Sequence, residues 1–381
     1  MYLSSLITNK NNSSDILSYL KKYIFYTHQE GVLFYLPLGN LIYSKIISLI
    51  KDKMKKINCY EICMPSFIDE ENIPISKRVK GGFLKTMGIY FSHDNKSKYM
   101  LPTHEEIITH FINNIDSKIE NTKSFFQISR KYRSEKDTRY PVRLNEFFMK
   151  DGYSFSPTKE DLDSYYESVK LMYIELFNEL DLEFYLTPPS RDLLFKDVSQ
   201  EFIANDINGN EIFFIKEDKE KFAIKKEDSN IYEKEFSGLE IAHIYKLYDM
   251  YSNLLNNKLQ MGSYGIGIER IIYSIISQKF KNGIINWPNS VRPFKISIIS
   301  ENTQLTNDIY RKLNNDISCY IDDLDTSIEQ KIKTSKELGV ENYILLKNEE
   351  INIYDNNENK IKTFKNNQLN EILNFFNGEI I

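Results

Sequence analysis

The sequence predicts an α+β fold: an antiparallel sheet flanked by helices, followed from about residue 290 by a small α/β domain. The runs "FFQISRKYRSE" and "RLNEFFMKDGYSF" are apolar and separated only by a polar turn at Lys136–Arg139, which reads as an antiparallel hairpin. Helix-period runs at 40–57 and after Ser156 supply the flanking layer. Past Trp287-Pro288-Asn289 the pattern changes. There "FKISIIS", "SCYIDD" and "NYILLK" are short apolar strands alternating with helices at about 303–315 and 327–338. With 381 residues, the chain has room for two or three domains and a large buried core.

In chain order, Leu41, Ile42, Ile46, Leu49, Ile50, Met54 and Ile57 recur at helical spacing with lysines between them. A strand ending in Met64-Pro65 follows. The stretch "KYMLPTHEE" reads as a short strand running into a helix at about Thr103. After the hairpin, Ser156-Pro157 starts a helix with Pro at its first position and a buried stripe of Leu162, Tyr166, Val169, Tyr173, Leu176 and Leu180. "EIFFIKE" and "LEIAHIYKL" read as strands. "MGSYGIGIERIIYSII" reads as a strand and glycine-rich bend feeding an apolar helix.

The net charge of −5 excludes a generally basic nucleic-acid sleeve but leaves room for local basic patches. Three cysteines are too few for a disulfide framework, and no histidine near Cys59 and Cys63 completes a zinc set. No N-terminal apolar run has the length of a signal peptide. The most apolar window is broken by Pro37, Gly39, Asn40 and Lys45, so it does not read as a membrane span. A soluble, cytosolic chain is the expectation.

The arginines carry the functional signal. There are nine against forty lysines, and four of the nine fall within "RKYRSEKDTRYPVR", residues 130–143. Arginine differs from lysine by a planar fork that grips carboxylate or phosphate bidentately. Arg133 and Glu135 share one face of the hairpin, Arg139 lies in its turn, and Phe147 on the returning strand offers a flat ring. Far along the chain, Arg270 follows Gly262, Gly265 and Gly267, where backbone comes close to something. This set suits a nucleoside triphosphate held without a Walker loop. A solvated basic hairpin with an ordinary helix-start turn satisfies the same spacing.

At these motifs the chain resembles the class II aminoacyl-tRNA synthetases, specifically the prolyl-tRNA synthetases of bacterial type that lack the inserted editing domain. "GVLFYLPLGNLIYSKIISLIKDKMKKINCYEICMPSF" is similar to motif 1, "KYRSEKDTRYPVRLNEFFMKDGYSF" to motif 2 and "MGSYGIGIER" to motif 3. "LPTHEE" resembles the loop that holds proline, "LEIAHIYKLYDMYS" the strand before motif 3, and "INWPNSVRPFKISII" the junction to the anticodon-binding domain. The resemblance implies a catalytic domain at 1–289 and a three-layer α/β anticodon-binding domain at 290–381. The implied activity is ATP-dependent conversion of proline to prolyl-adenylate and its transfer to tRNA(Pro) by a homodimer.

The resemblance also implies roles. Arg133 would bind the α-phosphate and substrate carboxylate, Arg270 the β- and γ-phosphates, and Phe147 the adenine ring. Glu135 and Gly267 would contact ATP, and Arg139 the triphosphate or the tRNA end. Thr103, Glu105, His243 and Asp151 would form the proline pocket, with Glu105 facing the ammonium. Glu240 would meet ATP or its Mg²⁺, there being no protein-only metal site. Lys331, Lys333 and Lys336 would contact tRNA. For several of these the residues themselves leave a second reading open: a core imidazole for His243, a pair with Lys150 for Asp151, a solvated helix face for the lysines.

The sequence departs from the family at several places. Asn145 stands where Arg is usual, Ala242 and Glu329 stand where Gly is usual, and "LLFKDVSQEF" lacks the glycines normally ahead of it. From residue 290 onward, eleven Lys and Arg face fifteen Asp and Glu. Between motifs 2 and 3, "FAIKKED" resembles the lead into an editing domain, yet the next strand resumes near Gly238. A threonyl-type site would need a zinc-bound Cys, and none lies between residues 64 and 318. A non-catalytic, tRNA-binding relative is the alternative of another class; such chains lose a motif arginine, and both are present here.

Overall fold

A computed structural model gives the fold. It describes all residues except 7–14, 95, 116–117, 188–189, 192–197, 208, 210, 218–220, 226–233, 249, 252, 256–257, 301–302, 348–349 and 379–381. Most of "LLFKDVSQEF" ahead of Val198, and the end of "FAIKKED", therefore lie outside the described residues. The chain forms two compact units: Thr27–Leu33 with Ile46–Gln278, and Met1–Tyr26 with Phe34–Lys45 and Lys279–Ile381.

The first unit is built, among the described residues, on a ten-stranded sheet. The hairpin forms, with Lys123–Tyr132 antiparallel to Glu146–Ser156 from Lys123↔Phe155 to Tyr132↔Glu146. Its strands stop short of the expected Glu135 and Arg143, so Arg133 and Glu135 lie in the connection and not on a strand face. Gln260–Gly267 lies on the other side of Glu146–Ser156, then Lys234–Tyr248, then Val198–Asn205, all antiparallel. Cys59–Glu61 joins the hairpin edge in parallel. The predicted strand end at Met64-Pro65 comes earlier in the structure. After Ile62, whose N–H reaches Phe126 O at 2.8 Å, the Met64 N–H turns to the Gln127 side chain at 3.0 Å.

One face of this sheet is covered by the helix Lys159–Glu179. It starts later than Ser156-Pro157 suggests, because Ser156 is still paired with Gln260 and the Thr158 hydroxyl caps the helix by accepting the Asp161 N–H at 3.1 Å. Its predicted stripe, Leu162 through Leu180, is buried to 1% exposure or less. Lys150 points to this covered side and donates to the Tyr173 hydroxyl at 2.9 Å. Period-2 alternation then places Asp151 and its row on the opposite, open face.

The second unit holds a five-stranded sheet ordered Cys319–Asp322, Ile296–Ile299, Asn342–Lys347, Glu350–Asp355, Lys360–Lys365. The first three strands are parallel and the last two antiparallel. The helices Thr303–Leu313 and Ile328–Glu337 occupy the predicted crossovers. Ile296, Ile298, Leu313, Ile344, Ile353 and Phe364 share one core. The final hairpin and the helix Leu369–Phe376 extend the strand–helix alternation read from the sequence. No helix among the described residues is long and apolar enough to cross a membrane.

Candidate active site

Strand register assembles the site. On the open face, Gln127, Asp151, Gly265, His243 and Glu201 lie opposite one another in a single row across five strands. Ser129, Met149 and Gly267 form the next row. With no side chain at Gly265 and Gly267, the middle strand becomes the floor of a trough. The resulting cavity, about 600 Å³, is lined by Thr103, Glu105, Arg133, Glu135, Phe147, Asp151, Glu240, His243, Gly267 and Arg270, among others. Arg139 is exposed in the hairpin turn and is not part of this lining.

The glycines divide by face. A Cβ on Gly262, on the covered face, would stand 2.0 Å from the Tyr264 hydroxyl and 2.7 Å from Ser154 Oγ. Gly265 and Gly267 would meet nothing nearer than 3.8 Å and 3.4 Å. Close protein packing therefore demands glycine only at Gly262, and the other two leave open space in the cavity.

One end of the cavity is cationic. The Arg133 guanidinium stands 5.1 Å from the centre of the Phe147 ring, and its buried Nε has no hydrogen-bond partner. Burial, and then the nearby Arg270 guanidinium, push its pKa below the usual arginine value. Asn145, the departure from the family's Arg, clamps this segment: its amide donates to the carbonyls of Arg133 and Glu135 at 3.0 and 3.1 Å. Glu135 is ion-paired with Arg143 at 2.8 Å.

Arg270, in the first turn of the helix Ile268–Lys279, donates through Nε to Val142 O at 3.0 Å and through Nη1 to Glu240 Oε2 at 3.1 Å. Glu240 reaches this face because of a bulge: one step from Phe202 to Ile203 spans two residues, Ala242 to Glu240. Glu240 Oε1 thereby meets His243 Nδ1 at 3.1 Å, although i and i+3 alternate across a regular strand. Burial opposes ionisation of Glu240, but the His243 hydrogen bond and Arg270 hold its carboxyl well below the usual range. His243 stacks on Tyr245 at 3.9 Å, and its Nε2 is buried without a partner.

The other end is anionic. Glu105 is 7% exposed; it accepts from the Thr103 hydroxyl, from Ser263 Oγ at 3.0 Å and from Arg78 Nη2 at 3.0 Å. Burial alone would raise its pKa, yet Arg78 and the Thr103 hydroxyl outweigh burial and keep it ionised. Asp151 does not pair with Lys150. Its Oδ1 lies 2.7 Å from Lys131 Nζ, and its Oδ2 accepts from Tyr153 at 2.8 Å and Gln127 at 3.2 Å. Lys131 also donates to His104 Nδ1 at 2.9 Å, which leaves the His104 Nε2–H for Pro65 O at 2.8 Å. Burial and Lys131 push this imidazole down to about 4, so it is neutral.

In the second unit, Lys331 is 11% exposed and donates to Asp322 O at 3.0 Å, and Lys336 pairs with Glu358 at 2.5 Å. Lys333 is exposed. The departure Glu329 sits in the first turn of the helix Ile328–Glu337, where a carboxylate complements the helix dipole.

Sequence reasoning passed over Arg78, Ser263 and Glu269. Glu269 is 4% exposed and accepts the Phe148 N–H at 2.9 Å. It stands beside motif 3's arginine, a signal that was readable. Arg78 carried the same rarity signal as the hairpin arginines but stood alone in a polar stretch.

Residues 89–279, half of the chain, match the family described as tRNA synthetase class II core domain (G, H, P, S and T). A proline–tRNA ligase of Pelagibacter ubique is 28% identical, the match covering 85% of this chain and 86% of that protein. One from Wolbachia sp. subsp. Brugia malayi is 27% identical, covering 91% of each. Among solved structures, Giardia lamblia prolyl-tRNA synthetase in complex with prolyl-adenylate is similar with a TM-score of 0.72 and 15% identity, over 93% of this chain and 74% of that one. Cryptosporidium parvum prolyl-tRNA synthetase complexed with L-proline and AMP follows at 0.71 and 14%, over 98% and 81%. At such identities the structures speak to the fold alone.

Proposed function

The chain belongs to the class II tRNA synthetase core family, and on that premise we propose that it is a proline–tRNA ligase. It activates proline with ATP to prolyl-adenylate and transfers the prolyl group to the 3′ end of tRNA(Pro). The observation that carries the reading is Arg133: a guanidinium whose buried Nε has no hydrogen-bond partner, beside a second guanidinium at one end of a glycine-floored cavity whose far end is anionic. The open Arg133 Nε calls for an anion, Arg270, already paired with Glu240, adds positive charge beside it, and the far end needs a cation. A zwitterionic amino acid with its carboxylate against a triphosphate supplies both.

The chemistry asks for positioning and charge stabilisation. The proline carboxylate attacks the α-phosphorus in line and pyrophosphate leaves. Arg133 holds the carboxylate and α-phosphate, and Arg270 the β- and γ-phosphates. Phe147 stacks on adenine, with Glu135 and Gly267 at the nucleotide. Glu105, with Thr103, faces the ring ammonium, while His243 and Asp151 close the pocket. Arg139, outside the lining, serves the triphosphate or the tRNA end. Mg²⁺ arriving with ATP takes hard oxygen ligands, and the ionised Glu240 carboxylate is one of that kind. Residues 1–289 carry this chemistry and 290–381 bind the anticodon region through Lys331, Lys333 and Lys336. The chain acts as a cytoplasmic homodimer.

Amino-acid-dependent exchange of pyrophosphate into ATP, run with all twenty amino acids, tests the reading. Strong exchange with proline is expected. Preference for another amino acid such as threonine or histidine, or no exchange at all, overturns it.

A further inference from the structure

The anionic end of the cavity contains a second carboxylate that the site chemistry does not use. Glu106 is 4% exposed, adjoins Glu105 and is absent from the cavity lining. Between the two stands one cation. Arg78 Nη2 lies 2.7 Å from Glu106 Oε2 and 3.0 Å from Glu105 Oε2, and its Nε lies 3.3 Å from Glu106 Oε1. Its guanidinium is stacked on Phe83, 3.9 Å from the ring centre.

The sharing is unequal. Glu106 receives both Arg78 contacts of the fork, the Ser76 hydroxyl at 2.7 Å and the Tyr251 hydroxyl at 3.3 Å. The Ser76 hydroxyl also caps the short helix Lys77–Lys80 by accepting the Val79 N–H at 3.0 Å, so Glu106 fixes the helix that carries Arg78. Glu105 receives a single Nη2 hydrogen, with neutral hydroxyls for its other donors.

Two buried carboxylates and one guanidinium leave one negative charge. The lopsided hydrogen bonding assigns that charge to Glu105, the member that lines the cavity. An uncompensated buried charge is costly, and one substrate cation removes the deficit. We propose that Arg78 is a positioning residue for the amino-acid subsite. It neutralises Glu106, holds Glu105 in orientation, and so leaves the subsite one negative charge for a singly charged substrate ammonium. Arg78 acts through Glu105 and has no part in the phosphate chemistry. This rests on the prolyl-activating reading above and adds to it the residue that sets the charge of the amine subsite.

Pyrophosphate exchange kinetics test it with wild type, Arg78→Lys and Arg78→Ala, all checked for folding by circular dichroism. Loss of a charge-assisted fork should raise the KM for proline on the order of 10–100-fold in Arg78→Ala while the KM for ATP stays within about twofold. Arg78→Lys keeps the charge but not the fork and should fall between. Guanidinium chloride at roughly ten millimolar should restore part of the Arg78→Ala affinity for proline, and urea at the same concentration should not. An unchanged KM for proline, KM values for proline and ATP that rise together, or equal effects of guanidinium and urea would each overturn the proposal. If Arg78→Ala does not fold, the proline-against-ATP split in Arg78→Lys decides. Absence of proline exchange in wild type would instead defeat the prolyl-activating reading itself.

Discussion

A methyl group added at Gly262 and one added at Gly265 should have opposite consequences, though the two glycines share a strand. At Gly262 the new Cβ would meet the Tyr264 hydroxyl at 2.0 Å, and that ring is 1% exposed and bonded to Ser154 Oγ at 2.8 Å. The ring cannot retreat, so Gly262→Ala should cost about 1–3 kcal/mol of stability by overpacking. Gly265→Ala meets only ordinary contacts, at 3.8 Å or more, so stability should stay within about 0.5 kcal/mol. The methyl there enters the trough between Asp151 and His243 and should raise the KM for proline in exchange assays. Denaturant unfolding and exchange kinetics on both variants check this; a stable Gly262→Ala or a kinetically silent Gly265→Ala would refute the division by face. At this scale the sequence was informative where a rare residue type clustered. Arg133 and Arg270 stood out against forty lysines, and the structure brings both to one cavity with Thr103, Glu105, Asp151 and His243. Arg78 was not legible as part of the site, since its partners Glu105 and Glu106 lie across a fold that only the tertiary structure closes. Nor was Lys131 as the partner of Asp151: sequence adjacency suggested Lys150, but the strand period sends Lys150 to the other face.

Elements whose burial pattern is periodic were legible, and those defined by a single local bond were not. The stripe of the helix Lys159–Glu179 is read from spacing, but its start depends on whether Ser156 keeps its ladder partner Gln260. The strand Lys360–Lys365, "KIKTFK", buries only Phe364 and lies at the sheet edge, so it carries little apolar signal. The strand Cys319–Asp322 carries a liability of its own. Asp322 is 2% exposed, its Oδ2 is buried without a partner, and Lys331 is 3.9 Å from its other oxygen. Burial raises its carboxyl to about 6. Because the folded pKa exceeds that of an unfolded Asp, the folded state binds more protons between about 4 and 6. Stability of this unit therefore falls as pH rises through that window, by about 3 kcal/mol in full. Asp322→Asn should remove the loss, stabilising the protein at pH 7 relative to wild type and little at pH 4. Unfolding measured at both pH values tests it; a variant equally or more destabilised at pH 7 than at pH 4 would exclude the account.

At the level of the whole molecule, the change of pattern near residue 290 was legible because strand and helix lengths shift there. That Met1–Tyr26 belongs to the same compact unit as Lys279–Ile381 was not. It depends on a few bonds between residues more than 300 apart: the Ile321 N–H to Met1 O at 2.9 Å, and the Ser4 hydroxyl to Asp323 at 2.5 Å. No periodicity announces such contacts. Chain length between the second and third motifs has a functional consequence under the prolyl reading. Lys221–Lys225 pairs back on Glu211–Glu217, and Lys234–Tyr248 has already begun at Lys234, somewhat before the expected Gly238. The residues numbered 226–233 between them are too few for a hydrolytic domain. A pocket shaped for proline still admits alanine, which is smaller, and rejects it only through lost apolar contact. That discrimination amounts to about 1–3 kcal/mol per missing methylene. The protein should therefore form some alanyl-tRNA(Pro) and lack the means to hydrolyse it. Preformed alanyl-tRNA(Pro) incubated with the purified chain should lose its alanine no faster than in buffer; deacylation well above that rate would reveal a hydrolytic site elsewhere in the fold.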